Sequence, residues 1–384
     1  METASDVLII GAGAAGLATA ACLKHYGIDA LVLEAGDAPA QSWAAGYDAL
    51  KLHTIRRYSG LPRYPMPRTY PLYASRDQVV SYLQDYARHF DIVPRTGQRV
   101  QTAQQTDDGW LVTTASDTFR SKILVAASGI FAAPVEPHWP GMETFRGSIQ
   151  HTSSYKNAAP FAGKRVLIIG AGNSGAEIAV DVMKRAASTT VAIRNGVNVV
   201  PLSLLGVPIQ LWGLLVLRLP PAVTRVVAKV LLKRAEARLQ SAGIPKSPEP
   251  LLQAHGIPII GLSFINAVRE ERIQVKPAVT SFGEQEVTFA DGTRQPFDAV
   301  LLATGFQPAL GYLDGLISFD ERGFPKRDRV RSLDHPNLYF VGYNYGIAGT
   351  LNNIRQEAPI AAAQIAAQLG KISGAGKPVL AQTH

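Results

Sequence analysis

Residues 6–34 set an apolar run, a glycine turn, an alanine-rich segment and a second apolar run in an order that few folds accept. Asp6 to Ile10 is short, apolar and rich in branched residues, which is how a strand buried in a parallel sheet reads. It breaks directly into Gly11-Ala12-Gly13-Ala14-Ala15-Gly16, and the stretch on to Tyr26 has the alanine and leucine content of a helix packed on that sheet. Gly27 and Asp29 mark a turn, and Ala30 to Leu33 reads as a second strand ending in Glu34. The glycines divide the steric work among them. Gly11 permits the tight turn, Gly13 lets backbone approach a pyrophosphate, and Gly16 lets the helix sit close on the strand. The helix N-terminus offers unpaired N–H groups and about half a positive charge to that pyrophosphate. Glu34 follows Gly16 by eighteen residues, where a carboxylate can accept both hydroxyls of an adenosine ribose. A lone G-x-G-x-x-G fits any crowded strand–helix turn; a strand before it, a helix after it and an acid at that distance make it a dinucleotide site.

The same pattern returns. Arg165 to Ile169 reads as a strand, Gly170-Ala171-Gly172-Asn173-Ser174-Gly175 as the turn, Ala176 to Arg185 as a helix and Thr190 to Ile193 as the next strand. The chain therefore carries an internal duplication of a βαβ unit. One position differs between the copies: the second ends in Arg194 where the first ends in Glu34. An acid there suits a free ribose 2′-hydroxyl, and an arginine suits a 2′-phosphate. The first copy is expected to hold the adenosine of FAD and the second NADP; the bland alternative for Arg194 is a solvated strand end.

With 384 residues, 47% of them hydrophobic, the chain has room for two ordinary domains. The first strand begins within six residues, which leaves no room for a cleavable signal peptide, and Val7 to Ile10 is too short to span a membrane. Cys22 is the one cysteine, so no disulfide framework and no Cys-x-x-Cys pair exists in this chain, and a cytoplasmic location is the default expectation. The net charge of +8 suits anionic ligands such as two dinucleotides. Nucleic acid is the rival reading of that charge, but no nucleic-acid module and no aromatic-studded basic stretch accompanies it, so no nucleic-acid partner is expected. The eight histidines show no metal-ligand spacing, and no metal is expected.

Between these landmarks the periodicity changes. From Gln41 to Tyr73 prolines (Pro62, Pro65, Pro67, Pro71) alternate with tyrosines (Tyr58, Tyr64, Tyr70, Tyr73), which excludes a long helix or a central strand. This loop reads as an aromatic covering of the core, or as a wall over a flavin with Trp43 nearby, or as both. Arg76 to Phe90 resumes a helical period, and Arg99 to Val125 reads as a β-meander that runs into Ser128-Gly129. Leu202 to Leu219 is the least polar stretch, but Gly206, Pro208 and Gly213 interrupt it and it falls short of a transmembrane helix. Thr224 to Gln240 then reads as a basic helix bearing Arg225, Lys229, Lys233, Arg234 and Arg238. The two could rest weakly on a membrane surface, or form a helical insertion packed on its own domain. Strands follow from Arg272 to Thr288, with a hairpin turn at Asp291-Gly292. Asp298 to Thr304 is a strand broken by Gly305, Leu338 to Val341 a last strand ending at Gly342, and Asn352 to Leu369 a closing helix.

Several stretches together resemble the class B flavin-dependent monooxygenases. Phe145, Gly147, His151 and Tyr155 fit the family's F-x-G-x-x-x-H-x-x-x-Y signature. Ala303-Thr304-Gly305-Phe306 resembles its second linker motif, and LYFVGYNYGIAG its flavin-facing C-terminal segment. The stretch SWAAGYDALKLHTIRRYSGLPRYPMP is most similar to plant auxin-type members and their bacterial relatives. The resemblance implies an α/β fold of two three-layer Rossmann-like domains, with the NADP domain inserted into the FAD domain. It places residues 1–158 and 298–384 with FAD, and 159–297 with NADP, including a helical insertion at about 202–256. It implies that NADPH reduces FAD and that O2 then adds to the flavin as a C4a-(hydro)peroxide, which oxygenates a small organic substrate. Carried over residue by residue, Gly11, Gly13, Ala15, Gly16, Glu34, Trp43, Gly129 and Gly342 contact FAD. Gly170, Gly172, Asn173, Ser174, Gly175 and Arg194 contact NADP, while His151, Tyr155, Thr304 and Gly305 shape the linkers beside the nicotinamide. His53 stands where animal-type members carry an asparagine facing the flavin, and it is the candidate catalytic residue. The signature ends in Tyr155 without Trp-Pro, unlike a typical Baeyer–Villiger subtype.

Two other functions share this architecture. An FAD-dependent NADPH:acceptor reductase would not insert oxygen, and its disulfide type needs a cysteine pair that Cys22 alone does not supply. A non-catalytic nucleotide-binding protein would need the glycine turns but not the linker signature.

Overall fold

The computed structural model describes residues 2–216, 223, 233, 237–248, 258–346 and 348–372. The chain divides into two units: Met1–Ala45, Thr54–Ala133 and Phe306–His384 form the first, and Gly46–His53 with Pro134–Gly305 the second.

In the first unit, Leu31–Leu33, Glu2–Ile10, Thr118–Ala126 and Leu338–Phe340 lie side by side in that order, all parallel, with Arg331–Ser332 and Arg327–Asp328 continuing the sheet antiparallel. Val100–Thr106 and Gly109–Thr114 form the expected meander with Thr118–Ala126. Alternation along the strands sends Leu8, Ile10, Leu124, Ala126, Leu338 and Phe340 into one cluster with Trp110, Val112 and Phe119 of the meander. On the opposite face Ile9 meets the helix Ala14–Lys24, which is buried from Ala14 to Leu23 and packs against the closing helix Thr350–Gln368. That accounts for an alanine-rich helix with no polar stripe: it is covered on all sides.

Helix Arg76–His89 starts at a capping box between Ser75 and Gln78 and buries Val79, Tyr82, Leu83, Tyr86 and Ala87. Its tyrosines anchor the proline-rich loop. The Tyr82 hydroxyl donates to the Tyr64 carbonyl at 2.5 Å and receives the Leu61 N–H at 2.7 Å, while the Tyr86 hydroxyl donates to the Pro62 carbonyl at 3.0 Å. Tyr64 stacks on Tyr82 and on His89. This part of the loop is therefore an ordered covering held by backbone groups, among them the carbonyl of Pro62, which has no N–H to offer, and by the Tyr64 ring.

The second unit is built on five parallel strands in the order Gln274–Lys276, Ser188–Ala192, Arg165–Ile169, Ala299–Leu302, Ser148–His151. Val166, Ile168, Ala299 and Leu301 face the helices Asn173–Val182 and Ser263–Arg269. Leu167, Ile169, Val300 and Leu302 face an antiparallel sheet of Val279–Phe282, Glu286–Phe289 and Arg294–Pro296, which contributes Val279, Phe282, Val287, Phe289 and Phe297. Three layers result, with the sheet buried on both faces.

These strands correct the expected boundaries. The return to the first unit comes at Phe306, not at 298, because Ala299–Leu302 lies between Arg165–Ile169 and Ser148–His151 in the second sheet. The signature stretch from Phe145 to Tyr155 and the segment Gly46–His53 also belong to the second unit, so 1–158 is not one domain. An apolar run buried on both faces reads alike in either sheet, and its composition does not reveal its neighbours.

Where it is described, the expected helical insertion contains helix and adds short strands. Its base is a parallel pair, Val199–Val200 with Ile259–Ile260, followed by a hairpin of Ser203–Leu204 and Val207–Pro208 and the helix Ile209–Val216. Most of the basic segment, including Arg225, Lys229 and Arg234, lies outside the described residues. Among the described residues no helix is long and apolar enough to cross a membrane.

Candidate functional site

The two glycine turns have the same backbone. Gly11 and Gly170 lie at φ +105° and +106°, and each donates its N–H to the end of the neighbouring strand, at Leu33 O (2.7 Å) and Ala192 O (3.0 Å). A Cβ on Gly11 would fall 2.6 Å from the Ala127 carbonyl oxygen, and one on Gly170 would fall 2.4 Å from that of Ala303. A Cβ on Gly16 or Gly175 would strike the carbonyl oxygen of Gly11 or Gly170 at 1.8 and 2.2 Å. These four glycines are required by the protein itself. Gly13 (φ −79°, ψ −171°) and Gly172 (φ −73°, ψ −174°) are different: a Cβ at either would meet nothing within 4 Å. The emptiness lies at the N-cap of each following helix, where no side chain caps the backbone N–H groups. An open cradle beside uncapped backbone N–H groups, which a side chain on the glycine would fill, fits a pyrophosphate.

The duplication extends to a third strand in each unit. Thr118–Ala126 runs into Ala127-Ser128-Gly129, and Ala299–Leu302 into Ala303-Thr304-Gly305, with Gly129 and Gly305 both at φ +89°. The sequence marks both strand–glycine breaks but not their equivalence, because different insertions precede them.

At the ends of the second strands the copies diverge. The Glu34 carboxylate accepts the Ala12 N–H and the Gly36 N–H, both at 2.8 Å, which fixes it beside the first turn with further lone pairs to offer. Arg194 stands two residues beyond Ser188–Ala192, exposed and without a hydrogen bond or ion pair to the described residues. Ala15 is buried in the first turn of its helix, Trp43 is half-buried in the single turn Gln41–Ala44, and Gly342 (φ +88°) would put a Cβ 3.0 Å from that of Ala15.

Other site residues carry structural duties that the sequence did not show. The Asn173 side-chain oxygen accepts the Ile260 N–H at 2.8 Å, so it ties the glycine-turn helix to the base of the insertion; Ser174 is half-buried beside it. His151 is buried, accepts the Ser153 N–H on Nδ1 at 3.0 Å, and therefore donates from Nε2 to the Gly305 carbonyl at 3.1 Å. Burial lowers its pKa, partly offset by that carbonyl, so the ring is a neutral brace between the two linker motifs. Val135 donates its N–H to the same carbonyl, and the Thr304 hydroxyl donates to Val135 O. The Tyr155 hydroxyl donates to Asp181 at 2.7 Å while its ring stacks on Phe161, and burial drives its pKa up.

His53 and Tyr47 converge on a partner that no sequence motif points to. Glu177, in helix Asn173–Val182, accepts the Tyr47 hydroxyl at 2.5 Å on one carboxylate oxygen and faces His53 Nε2 closely with the other. In the first unit, Glu357 is likewise unforeseen: it is buried and accepts the Gly342 N–H at 2.8 Å. Burial pushes its carboxyl up, and the Gly342 N–H and Arg327 draw it partly back. Each is one acid in a helix that carries other polar residues, so nothing in the sequence singles it out.

Comparison with known proteins gives this geometry a family. Residues 8–200 match the family model described as pyridine nucleotide-disulphide oxidoreductase. The chain is 34% identical over 356 residues to the probable indole-3-pyruvate monooxygenase YUCCA4 of Arabidopsis thaliana, covering 89% of this chain and 86% of that protein. It is 35% identical over 362 residues to the indole-3-pyruvate monooxygenase YUCCA1 of Oryza sativa subsp. japonica, covering 89% and 88%. Among solved structures, the flavin-containing monooxygenase from Stenotrophomonas maltophilia superposes with a TM-score of 0.73 at 26% identity, over 96% of this chain and 99% of that one. With duplicated dinucleotide turns and these relatives, the chain belongs to the class B flavin-dependent monooxygenases: it is an oxidoreductase that uses FAD and NADPH and has plant auxin-type enzymes among its relatives.

Proposed function

We propose that the first unit holds FAD, that the second holds NADPH, and that the substrate oxygenated is a small aryl 2-oxo acid. The assignment of cofactors is carried by the contrast between Glu34, held at the first turn, and Arg194 at the second, exposed and with no partner among the described residues. The substrate class comes from the indole-3-pyruvate monooxygenases to which the chain is similar over most of its length. The net charge of +8 also suits an anionic substrate.

NADPH and FAD supply the redox chemistry: two electrons from NADPH and a proton reduce O2, one oxygen atom entering the substrate and the other leaving as water. The chain's part is to hold and to exclude. N–H groups at the Gly13 and Gly172 helix ends bind the pyrophosphates, Glu34 takes the FAD ribose hydroxyls, and Arg194 takes the 2′-phosphate. Gly129 and Gly342 bring backbone close to FAD without a side chain in the way. His151, Tyr155, Thr304 and Gly305 keep the linkers in register beside the nicotinamide, and His53 handles the proton at the reaction centre. The enzyme works in the cytoplasm.

The test is product analysis with NADPH and ¹⁸O2. Indole-3-pyruvate and phenylpyruvate are compared with an amine, a sulfide and a ketone, and mass spectrometry reads the label and whether the carboxyl carbon is kept. One labelled oxygen in the 2-oxo acid product, at a rate above the other classes, supports the reading. Hydrogen peroxide alone from the 2-oxo acids, with labelled sulfoxide or N-oxide from the others, would overturn it.

A further inference from the structure

Helix Asn173–Val182 does two things at once. Its N-terminus follows the second glycine turn, and one turn later Glu177 grips a segment more than a hundred residues earlier in the chain. The surrounding polar groups are already engaged. Asp181 accepts the Tyr155 hydroxyl at 2.7 Å and Lys184 Nζ at 3.1 Å. Asp48 accepts Asn157 Nδ2 at 2.8 Å. Tyr47 is 8% exposed, and burial together with Glu177 drives its pKa up, so it remains a hydroxyl donor to Glu177 across the working range. One carboxylate oxygen is thus permanently taken, and the other is directed at His53 Nε2.

A carboxylate only accepts, so Nε2 must carry a hydrogen and the lone pair of the neutral ring must lie on Nδ1. We propose that Glu177 is the positioning residue of His53: it fixes the Nε2–H form, presents Nδ1 as the only proton acceptor of the ring, and ties that ring to the helix that begins at the second glycine turn. For its catalytic consequence this rests on the reading of His53 as the proton-handling residue. A ring free to turn would deliver protons in the wrong place, and NADPH would be consumed to make hydrogen peroxide instead of product.

The experiment uses FAD-loaded protein with ¹⁵N-labelled histidine, with His53 assigned by its loss in His53→Gln. The wild type is expected to show a far-downfield, slowly exchanging Nε2–H and a pyridine-type Nδ1 at pH values where the ring is neutral. Glu177→Ala should lose that proton to exchange with water, keep its FAD and bind NADP⁺ within about two-fold of wild type, since Glu177 does not touch the glycine turn. Product per NADPH should fall about ten-fold, part of the 10²–10⁴ that proton transfer by a held side chain contributes. Tyr47→Phe removes the other tie to the segment but should retain the Nε2–H signal and most of the coupling.

An absent signal in wild type, or one that persists in Glu177→Ala, would overturn the proposal, as would equal uncoupling in Tyr47→Phe, which would make Glu177 a mere clamp. The wild-type spectrum decides even if Glu177→Ala does not fold. If His53→Gln leaves the partition between product and peroxide unchanged, the reading of His53 falls, while the spectra still judge Glu177 on their own terms.

Discussion

Replacing Arg194 by alanine should separate the two nicotinamide nucleotides. The side chain is exposed beyond the end of Ser188–Ala192 and binds no described residue, so its removal leaves no buried partner stranded and should scarcely move the melting temperature. What it loses is a charge-assisted pairing with the dianionic 2′-phosphate, worth about 1.5–3 kcal/mol in general. Exposure puts the value here at the low end, because water and salt screen it, so kcat/KM for NADPH should fall about ten-fold and at most about a hundred-fold. NADH has no phosphate at that position, and its kcat/KM should stay within about two-fold. The phosphate is remote from the nicotinamide, so the loss should appear in KM, with kcat at saturating NADPH preserved. Raising salt from about 50 to about 500 mM should shrink the difference between wild type and variant. Steady-state kinetics with both nucleotides at both salt concentrations measures all of this. Equal losses with NADPH and NADH, or no loss with either, would refute the reasoning and leave Arg194 as a solvated strand end.

The glycines make opposite forecasts. Gly13→Ala should fold with an unchanged melting temperature as apoprotein, since its Cβ meets nothing within 4 Å, yet lose FAD affinity; Gly16→Ala should be destabilised by about 1–3 kcal/mol, since its Cβ would sit 1.8 Å from Gly11 O. Thermal melts and flavin content of the pair check both. Asp298 accepts three donors from Arg165, whose side-chain hydrogen bonds pull its pKa down to about 2. A carboxylate so depressed stabilises above its unfolded value of about 4, and the contribution fades as pH falls toward about 2. With the two side chains 42% and 40% exposed, Asp298→Asn should cost less than about 1 kcal/mol at pH 7, and urea midpoints should converge with wild type below about pH 4. Glu357→Gln should be neutral or stabilising at pH 7, because its amide oxygen can still accept the Gly342 N–H and no charge is buried; Glu357→Ala should cost about 1–3 kcal/mol, read as a lower urea midpoint.

Local constraint explains what was legible. The first βαβ unit and its repeat could be read because strand, turn, helix and acid fall within about thirty residues, and the steric demand on Gly11, Gly16, Gly170 and Gly175 is met by backbone close at hand. The meander and helix Arg76–His89 were legible for the same reason, although the helical period did not single out Tyr82, whose ring is buried while its hydroxyl holds the loop. What failed to show was allocation. Ser148–His151 is a short, mostly polar stretch and Ala299–Leu302 a short apolar run, and only pairing across more than a hundred residues puts both in the second sheet. The site divides likewise. Glycine and strand-end positions follow from the motif, whereas the link from Glu177 to His53 spans 124 residues, and the engagement of Asn173 with Ile260 depends on the strand pair at the base of the insertion, which no motif announces.

The family name poses a last question that the residues answer. A pyridine nucleotide-disulphide oxidoreductase scaffold offers two dinucleotide turns, and both disulfide reductases and oxygenases can be built on it. A reductase of the disulfide kind must pass electrons from flavin to a cysteine pair, through a thiolate that attacks and a disulfide that opens. This chain has one cysteine, Cys22, in the last turn of the first glycine-turn helix. It is 6% exposed, and burial pushes its thiol up to about 12, with Arg63 drawing it back only in part. Such a thiol is neither paired nor ionised at neutral pH, and it behaves as a small apolar core residue. Electrons that reach the flavin therefore have no protein thiol to leave by. They must pass to something that diffuses to the ring, which is the condition an oxygenase needs; under the proposed role of His53, the proton at that point would then be governed by His53 and its carboxylate Glu177.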